Sequence, residues 1–311
     1  MRNRFARFVA ASVAVTGTLS ISAALVAGQG AQTKAPAPAP TAPAGRGQAP
    51  AAPAAPARGA TTAPAGNRGA AVPARVQRID GKPNFNGLWQ AMNTGNWDIQ
   101  DHSAQAGPYY QLGAAFAVPP GQGIVEGNEI PYRPEALEQK KLNFLNRWSA
   151  DPEIKCFMPG IPRATYMPYP FSIVQGTSTI AFSYGFATAN RVVRMTNHQK
   201  APVPSWMGWS NGHWEGDTLV VEVTGNNDMT WFDRAGNFHS DAMKVTERYT
   251  LRNQDVIDYE ATIDDPKTFT RPWKISFPLY RKLEKNATFL DFKCVEYTEE
   301  LIYGHLRKPT N

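Results

Sequence analysis

The chain has 311 residues, a formal net charge of +6 and two cysteines. Residues 1–75 hold eight of the 32 Lys and Arg and no Asp or Glu, so residues 76–311 carry 24 basic and 26 acidic side chains and a formal charge of −2. The basic character therefore belongs to the N-terminal part, and the remainder gives no electrostatic reason to expect nucleic-acid binding. Residues 76–311 are enough for one domain with a substantial core.

The first 28 residues have the pattern of an export signal. Three arginines precede an apolar stretch over residues 8–27, and the small side chains of Val26 and Gly28 fit a cleavage site. A retained membrane anchor is the alternative, which the Thr16-Gly17-Thr18 interruption disfavours. We therefore predict a signal peptide over residues 1–28, export to the periplasm or the extracellular space, and no membrane attachment after cleavage.

Residues 29–75 consist almost entirely of Ala, Pro, Gly and Thr with a few basic residues. This composition has no apolar periodicity and cannot build a core, so it predicts a disordered tether with some polyproline-II character. A surface or cell-wall spacer would have the same composition. A single folded domain is expected over residues 76–311.

The folded part reads mostly as strands. One helix is predicted over residues 134–148, which begin with Pro134 and carry Glu135 and Glu138 in the first turn. Asn211-Gly212 predicts a hairpin turn, and Gly216-Asp217 predicts a second turn. The predicted strands cover residues 85–90, 171–175, 179–184, 190–196, 218–223, 243–252, 256–264, 273–279 and 289–297.

Eight or more closely spaced strands with one helix predict an all-β fold. We expect an antiparallel β-barrel or a deep β-sandwich. Short turns favour antiparallel pairing of successive strands.

Glu247 stands out because strand alternation places its carboxylate among apolar neighbours. A hairpin loop at residues 253–255 would set Tyr249 opposite Tyr259 and Glu247 opposite Ala261, whose small side chain leaves space. A buried carboxylate is costly unless it is paired or protonated. Glu247 is therefore either a general acid or base, a carboxylate that anchors a ligand, or half of a buried ion pair with an arginine of a neighbouring strand.

A polar loop of 18 residues, 224–241, precedes that strand. Loops of this length are often functional, so His239 and Asp228 are the candidate catalytic partners of Glu247. A solvated loop whose histidine caps a strand is the alternative. The predicted ligand-binding residues are Arg163, Trp231, Asp233, Arg234, Tyr249 and Tyr259.

Cys156 and Cys294 are the two cysteines of the chain. An even number in an exported protein suggests a disulfide, which would contribute about 4–5 kcal/mol in the chain-entropy model. Two buried free thiols are the alternative.

Three segments carry a resemblance to a known family: WEGDTLVV (214–221), HSDAMKVTERY (239–249) and DDPKTFTRPW (264–273). Together with FNGLW (85–89) and PGIPR (159–163) they resemble a family of exported bacterial proteins of unknown function. The similarity covers most of residues 83–297 and implies no established activity. The family more usually has Arg at the position of His213 and Phe at that of Asn226. The Gly-x-Trp at residues 87–89 also resembles the signature of lipocalin-type barrels, and this resemblance implies an antiparallel β-barrel of the lipocalin or calycin type.

These patterns favour an exported barrel that binds a small apolar or carbohydrate-like ligand. A hydrolase, lyase or isomerase without a cofactor, using Glu247 with His239 or Asp228, is the first alternative. A structural envelope or surface protein is the second. No phosphate-binding loop, serine-hydrolase motif or zinc-protease motif occurs, and we predict neither a cofactor nor a bound metal.

Overall fold

The computed structural model describes residues 76–289 and 292–307, and within them most regular structure is β-strand. The strands, in chain order, are β1 (Arg78–Ile79), β2 (Lys82–Pro83), β3 (Gly87–Ala91), β4 (Phe171–Gln175), β5 (Thr179–Tyr184), β6 (Asn190–Arg194), β7 (Trp209–Glu215), β8 (Thr218–Thr224), β9 (Lys244–Asn253), β10 (Val256–Asp264) and β11 (Trp273–Arg281). The α-helices are α1 (Pro134–Leu145), α2 (Arg147–Ala150), α3 (Arg163–Tyr166) and α4 (Thr298–Tyr303). The predicted signal peptide and tether lie outside the described residues.

Strands β3 to β11 close into a barrel in the order β10-β11-β3-β4-β5-β6-β7-β8-β9. Neighbouring strands run antiparallel except β6 and β7, which run parallel. The all-β barrel expected from the sequence is thereby confirmed. Closure leaves the two-stranded β1–β2 ribbon as a separate sheet.

The predicted register between β9 and β10 is also confirmed. Tyr249 lies opposite Tyr259, and Glu247 lies opposite Ala261. Both strands alternate buried and more exposed residues, so each has one face on the barrel interior. Glu247 is on the interior face and is fully buried.

Aromatic rings fill much of the barrel interior. The ring of Tyr249 contacts those of Phe182 and Tyr259, with centroids 5.5 and 4.9 Å away. Tyr259 in turn contacts Phe277 at 4.9 Å. Each such buried side chain stabilises the fold by about 1.5–3 kcal/mol through removal of apolar surface from water. The interior around Glu247 is therefore occupied by side chains.

The predicted helix begins where expected, with Pro134 at the first position of α1. It ends at Leu145, and α2 follows after Asn146, because the backbone of Asn146 leaves the helical conformation. The sequence did not predict α3 and α4. Among the described residues, no helix is long and apolar enough to cross a membrane.

The hairpin predicted at Asn211-Gly212 is wrong. Both residues lie inside β7, and Gly212 pairs with Val221 of β8. A Cβ atom on Gly212 would lie 2.5 Å from a methyl carbon of Val193, so this glycine permits close packing rather than a turn. The turn between β7 and β8 is at Gly216-Asp217, as predicted.

The strand predicted over residues 289–297 is also wrong. Residue 289 and residues 292–297 contain no strand, and α4 begins at Thr298. The reason is topological, because β11 pairs with β3 and closes the barrel, which leaves no free edge for a further strand. This segment packs beside the barrel instead.

Ala261→Leu replaces a methyl group by an isobutyl group next to Glu247. We expect the free energy of unfolding to fall by about 1–3 kcal/mol, because the surrounding interior is already packed. Thr262→Leu is the matched control, since Thr262 lies on the outer face of β10 and its replacement should change stability by less than about 0.5 kcal/mol. Urea unfolding measures both variants. Equal stability of the two would contradict a filled interior at Ala261.

Candidate functional site

Glu247 forms an ion pair across the barrel interior with Arg191 of β6. The guanidinium Nη1 lies 2.6 Å from Oε2, and Nη2 lies 3.2 Å from Oε1. The hydroxyl groups of Tyr249 and Tyr259 donate to Oε1 at 2.8 and 2.9 Å. Three side chains therefore satisfy this carboxylate, and all of them are buried. Of the roles considered for Glu247, the geometry matches the buried ion pair.

The charges of this pair stabilise each other. Burial alone would lower the pKa of Arg191, but the Glu247 carboxylate offsets burial and holds that pKa well above its usual value. Burial also raises the pKa of the Tyr249 and Tyr259 hydroxyls, and the adjacent carboxylate raises it further. Both tyrosines therefore remain hydrogen-bond donors to Glu247 at any pH at which the protein would work. Both tyrosines are buried inside the barrel. Their role in ligand binding stays a prediction.

His239 is buried, and both of its ring nitrogens have partners. Nδ1 lies 2.9 Å from the carbonyl oxygen of Ser240, which can only accept, so Nδ1 carries the proton. Nε2 then accepts from the Thr230 hydroxyl at 2.6 Å. Burial lowers the pKa of His239, which keeps the ring neutral. The lone pair of Nε2 is therefore engaged. Both partners belong to the loop over residues 224–241, so the hydrogen bonds of His239 stabilise that loop.

The other loop residues do not gather around Glu247. Asp228 is exposed, and Trp231 is half-buried and pairs through its backbone with Phe238. Glu247, His239 and Trp231 do not line the cleft described below. The negative charge of Asp228 acts on His239, but the partners of Glu247 are Arg191, Tyr249 and Tyr259 and include neither residue. Catalysis by Glu247 with His239 or Asp228 stays a prediction.

Asp233 holds the same loop in place. It is fully buried, and its carboxylate accepts from the backbone nitrogens of Ile99 and Asn237 at 2.9 and 3.0 Å. Burial raises the pKa of Asp233 to about 7, helped by the nearby Asp98 carboxylate and opposed by these hydrogen bonds. The Asp233 side chain therefore holds the backbone at Ile99 and Asn237 in place, and it is not accessible to a ligand.

A second set of charges, here called the arginine–carboxylate cluster, consists of the buried Asp151, Glu153 and Arg163 and the partly exposed Arg234 and Glu299. Arg163 binds Asp151 through two hydrogen bonds of 2.9 and 3.1 Å and reaches Glu153 at 2.7 Å. Arg234 binds the same Glu153 through two hydrogen bonds of 2.7 and 3.0 Å. It also contacts Glu299 at 3.2 Å. The cluster joins three segments that are far apart in sequence.

Glu153 is the centre of this cluster. Burial alone would raise its pKa, but the guanidinium groups of Arg234 and Arg163 overcome burial and lower that pKa to about 2. The amide nitrogen of Asn96 adds two longer hydrogen bonds, of 3.2 and 3.1 Å. Glu153 is therefore ionised at neutral pH and cannot serve as a general acid there.

The cluster borders a cleft of about 290 Å³ at the end of the barrel where β5 passes into β6. We call it the C-terminal cleft, because residues 292–300 form one of its walls. The charged part of its lining consists of Glu153, Arg234, Lys293, Glu299 and Glu300. Its aromatic lining comes from Tyr109, Trp148, Tyr169, Phe186, Phe292 and Tyr297.

A disulfide fixes the C-terminal wall to the body of the protein. Cys156 and Cys294 are bonded, with Cα atoms 5.6 Å apart and a sequence separation of 138, which confirms the predicted pair. The backbone nitrogen of Tyr297 also donates to the carbonyl of Ile154 at 2.8 Å. Phe292 packs on Tyr169 with ring centroids 4.9 Å apart. The cleft is therefore formed in advance of any binding event.

Of the predicted ligand-binding residues, Arg234 lines the C-terminal cleft. Arg163 does not line it, but it donates a hydrogen bond to Glu153, which does. The sequence did not identify Glu153, Tyr169, Phe292 or Glu299 as site residues. The disulfide offered a signal for them, because a bond between Cys156 and Cys294 must bring their sequence neighbours together.

Neither protein-family models nor curated proteins match this chain. The resemblance to exported bacterial proteins therefore stays a prediction. The disulfide itself is typical of proteins that reside in a non-reducing compartment.

Glu247→Gln leaves the Arg191 charge buried without its counter-charge. We expect the free energy of unfolding to fall by about 3–5 kcal/mol. Glu222→Gln is the matched control, because Glu222 is exposed on β8, and it should have little effect. The double variant Arg191→Met, Glu247→Gln should be more stable than Glu247→Gln alone, since no charge is left unpaired. Urea unfolding measures all three. A Glu247→Gln protein of unchanged stability would contradict the structural role and restore the catalytic hypothesis.

Asp233 should make stability depend on pH. Its pKa is raised from 3.8 to about 7 in the folded state, so folding favours the protonated carboxyl. This contribution is complete below about pH 4 and is lost as the pH rises through about 7. Tyr132 and Tyr166 also face Asp233, but burial raises the pKa of both hydroxyls, so they do not titrate in this window.

Asp98→Asn tests that assignment, because it removes the negative charge beside Asp233. We expect the stability loss between pH 4 and pH 7 to become smaller than in the unmodified protein. Asp101→Asn, at an exposed aspartate, should leave the pH profile unchanged. Urea unfolding across this range gives the comparison. Parallel profiles for the Asp98→Asn and unmodified proteins would show that Asp98 does not act on Asp233.

Proposed function

We propose that this protein binds a small organic molecule in the C-terminal cleft. The observation that carries the proposal is the convergence of aromatic rings and a fixed set of charged hydrogen-bonding groups on one cavity. Ligand sites commonly combine apolar walls with a few placed polar groups in this way. The interior of the barrel is occupied by packed rings, so the proposed site is at the barrel end.

The cleft favours an uncharged ligand with a ring. Arg234 and Glu153 neutralise each other through two hydrogen bonds, so neither requires a counter-ion from solution. Of the other charged lining residues, Glu300 pairs with Arg307, and Lys293 is exposed at the surface. Arg234 keeps 15% of its side chain exposed, and its guanidinium and the Glu299 carboxylate can donate to and accept from hydroxyl groups. Tyr169 and Phe292 offer apolar faces. A carbohydrate-like or aromatic alcohol meets both requirements.

The size of the cleft limits the ligand. A volume of about 290 Å³ is at the lower end of the range for small-molecule sites, which begins near 300 Å³. We infer that the ligand, or the part of it that is bound, has one or two rings.

We further propose that binding takes place outside the cytoplasm, in the periplasm or the extracellular space, after removal of residues 1–28. The disulfide that fixes the cleft wall supports this location, since such bonds persist in oxidising compartments. The charge pattern of the first residues supports export.

Tyr169→Ala removes an aromatic face of the cleft, and phenyl β-D-glucoside supplies both a sugar and an aromatic ring as the probe. We expect saturation-transfer NMR to detect binding to the unmodified protein at millimolar probe concentrations, and Tyr169→Ala to weaken binding about tenfold, since one aromatic contact contributes on the order of 1.4 kcal/mol.

Tyr280→Ala is the matched control, because Tyr280 is an exposed tyrosine on β11 that does not line the cleft. It should bind the probe as the unmodified protein does. Thermal unfolding of both variants verifies that each is folded. Equal affinity in all three proteins would place the probe elsewhere. No binding of phenyl β-D-glucoside, glucose or benzyl alcohol to the unmodified protein would also contradict the proposal.

A further inference from the structure

The seam between β6 and β7 is the least complete part of the barrel. These strands share only two registered pairs, Val193 with Ser210 and Arg194 with Asn211. On its other side, β6 pairs with β5 along all five residues. Residues 190–192 therefore have a strand partner on one edge only. An unpaired strand edge presents backbone donors and acceptors that can pair with another chain.

A groove of about 480 Å³ lies along this edge. We call it the seam groove. Its far wall is the segment over residues 202–209, which carries Trp206 and Met207, while Val192 of β6 supplies the near wall. Val192 and Val203 are 46% and 67% exposed, so the apolar character of the groove reaches the surface. Contiguous apolar surface of this kind marks interaction sites.

The charge of the groove is one-sided. Its charged lining residues are Arg191 and Arg194. Arg191 is neutralised inside the barrel by Glu247. Arg194 lies over the ring of Trp209, 3.5 Å from its centroid, and forms no ion pair with any residue that the structure describes. The groove thus offers one uncompensated cation beside an unpaired strand edge.

We propose that the seam groove binds an extended, acidic peptide segment of another protein by strand addition. The backbone of that segment pairs with residues 190–192, as in other complexes formed by β-strand addition. A Glu or Asp of the segment pairs with Arg194, and its alternate apolar side chains cover Trp206 and Met207. This surface is separate from the C-terminal cleft, because the two share no lining residue.

Three fluorescein-labelled peptides test the proposal on the full chain by fluorescence anisotropy. The first, TVEVTV, carries the strand-forming residues and one Glu. The second, TVKVTV, reverses the charge. The third is TVEVTV with alternate backbone nitrogens methylated, which removes the donors needed for strand pairing. We expect the first peptide to bind and the other two to bind at least about tenfold more weakly. Binding of the first should weaken as salt is added.

Arg194→Gln should lower the affinity for TVEVTV about tenfold and leave the affinity for TVKVTV unchanged or higher. Arg194→Lys keeps the charge and should retain the preference for the acidic peptide, which separates the charge from the stacking on Trp209. Arg252→Gln is the matched control, at an exposed arginine on β9 that lies outside the groove. Thermal unfolding verifies that each variant is folded.

The proposal is overturned if TVEVTV and TVKVTV bind equally, if backbone methylation has no effect, or if no peptide binds at millimolar concentration. It is also overturned if the protein forms a dimer that TVEVTV cannot dissociate, because the groove would then be occupied by a second copy of this chain. None of these outcomes depends on whether the C-terminal cleft binds a ligand.

Discussion

The ion pair between Arg191 and Glu247 is the constraint on which the barrel depends. It joins β6 to β9 across the interior, although β7 and β8 lie between those strands in the sheet. Side chains alternate along a strand, so a shift of β9 by one residue would turn Glu247 outward and leave Arg191 buried without a counter-charge. Apolar packing alone would distinguish less well between registers that differ by two residues, since those keep the apolar face inward. The buried charges make one register much more stable than its neighbours.

The arginine–carboxylate cluster uses the same chemistry for another purpose. Arg163 is sealed like Arg191, but the chain of contacts continues through Glu153 to Arg234, whose side chain reaches the cleft. The cluster therefore holds the side chain of Arg234 in a fixed position at the surface of the cleft. The disulfide acts in the same place, because it holds residues 292–300 against the segment that carries Glu153. A cavity whose walls are fixed by covalent and charged contacts loses little entropy when a ligand binds.

Local patterns predict most of the strands, and they fail where distant contacts decide. The hairpin loop at residues 253–255 predicts the pairing of Glu247 with Ala261, and the period of two supports it, because both strands must turn the same face inward. Asn211-Gly212 misleads because a turn signal cannot reveal that Gly212 packs against Val193 from another strand. The C-terminal cleft escapes prediction for a related reason. Its walls come from residues near 109, 153, 234 and 297, and only the two cysteines connect any of these segments in the sequence.

The seam between β6 and β7 follows from chain connectivity rather than from any local motif. Antiparallel neighbours can be joined by a tight turn, whereas a parallel pair needs a connection that carries the chain back along the whole strand. Here residues 195–208 carry the chain back, and β7 begins at Trp209. Because β7 begins there, its pairing with β6 starts only at Val193. The parallel pairing of β6 with β7 in an otherwise antiparallel barrel thus leaves residues 190–192 with one unpaired edge. Arg194 is next to that edge, and its charge is uncompensated among the described residues, so the topology accounts for the position of the proposed peptide-binding groove.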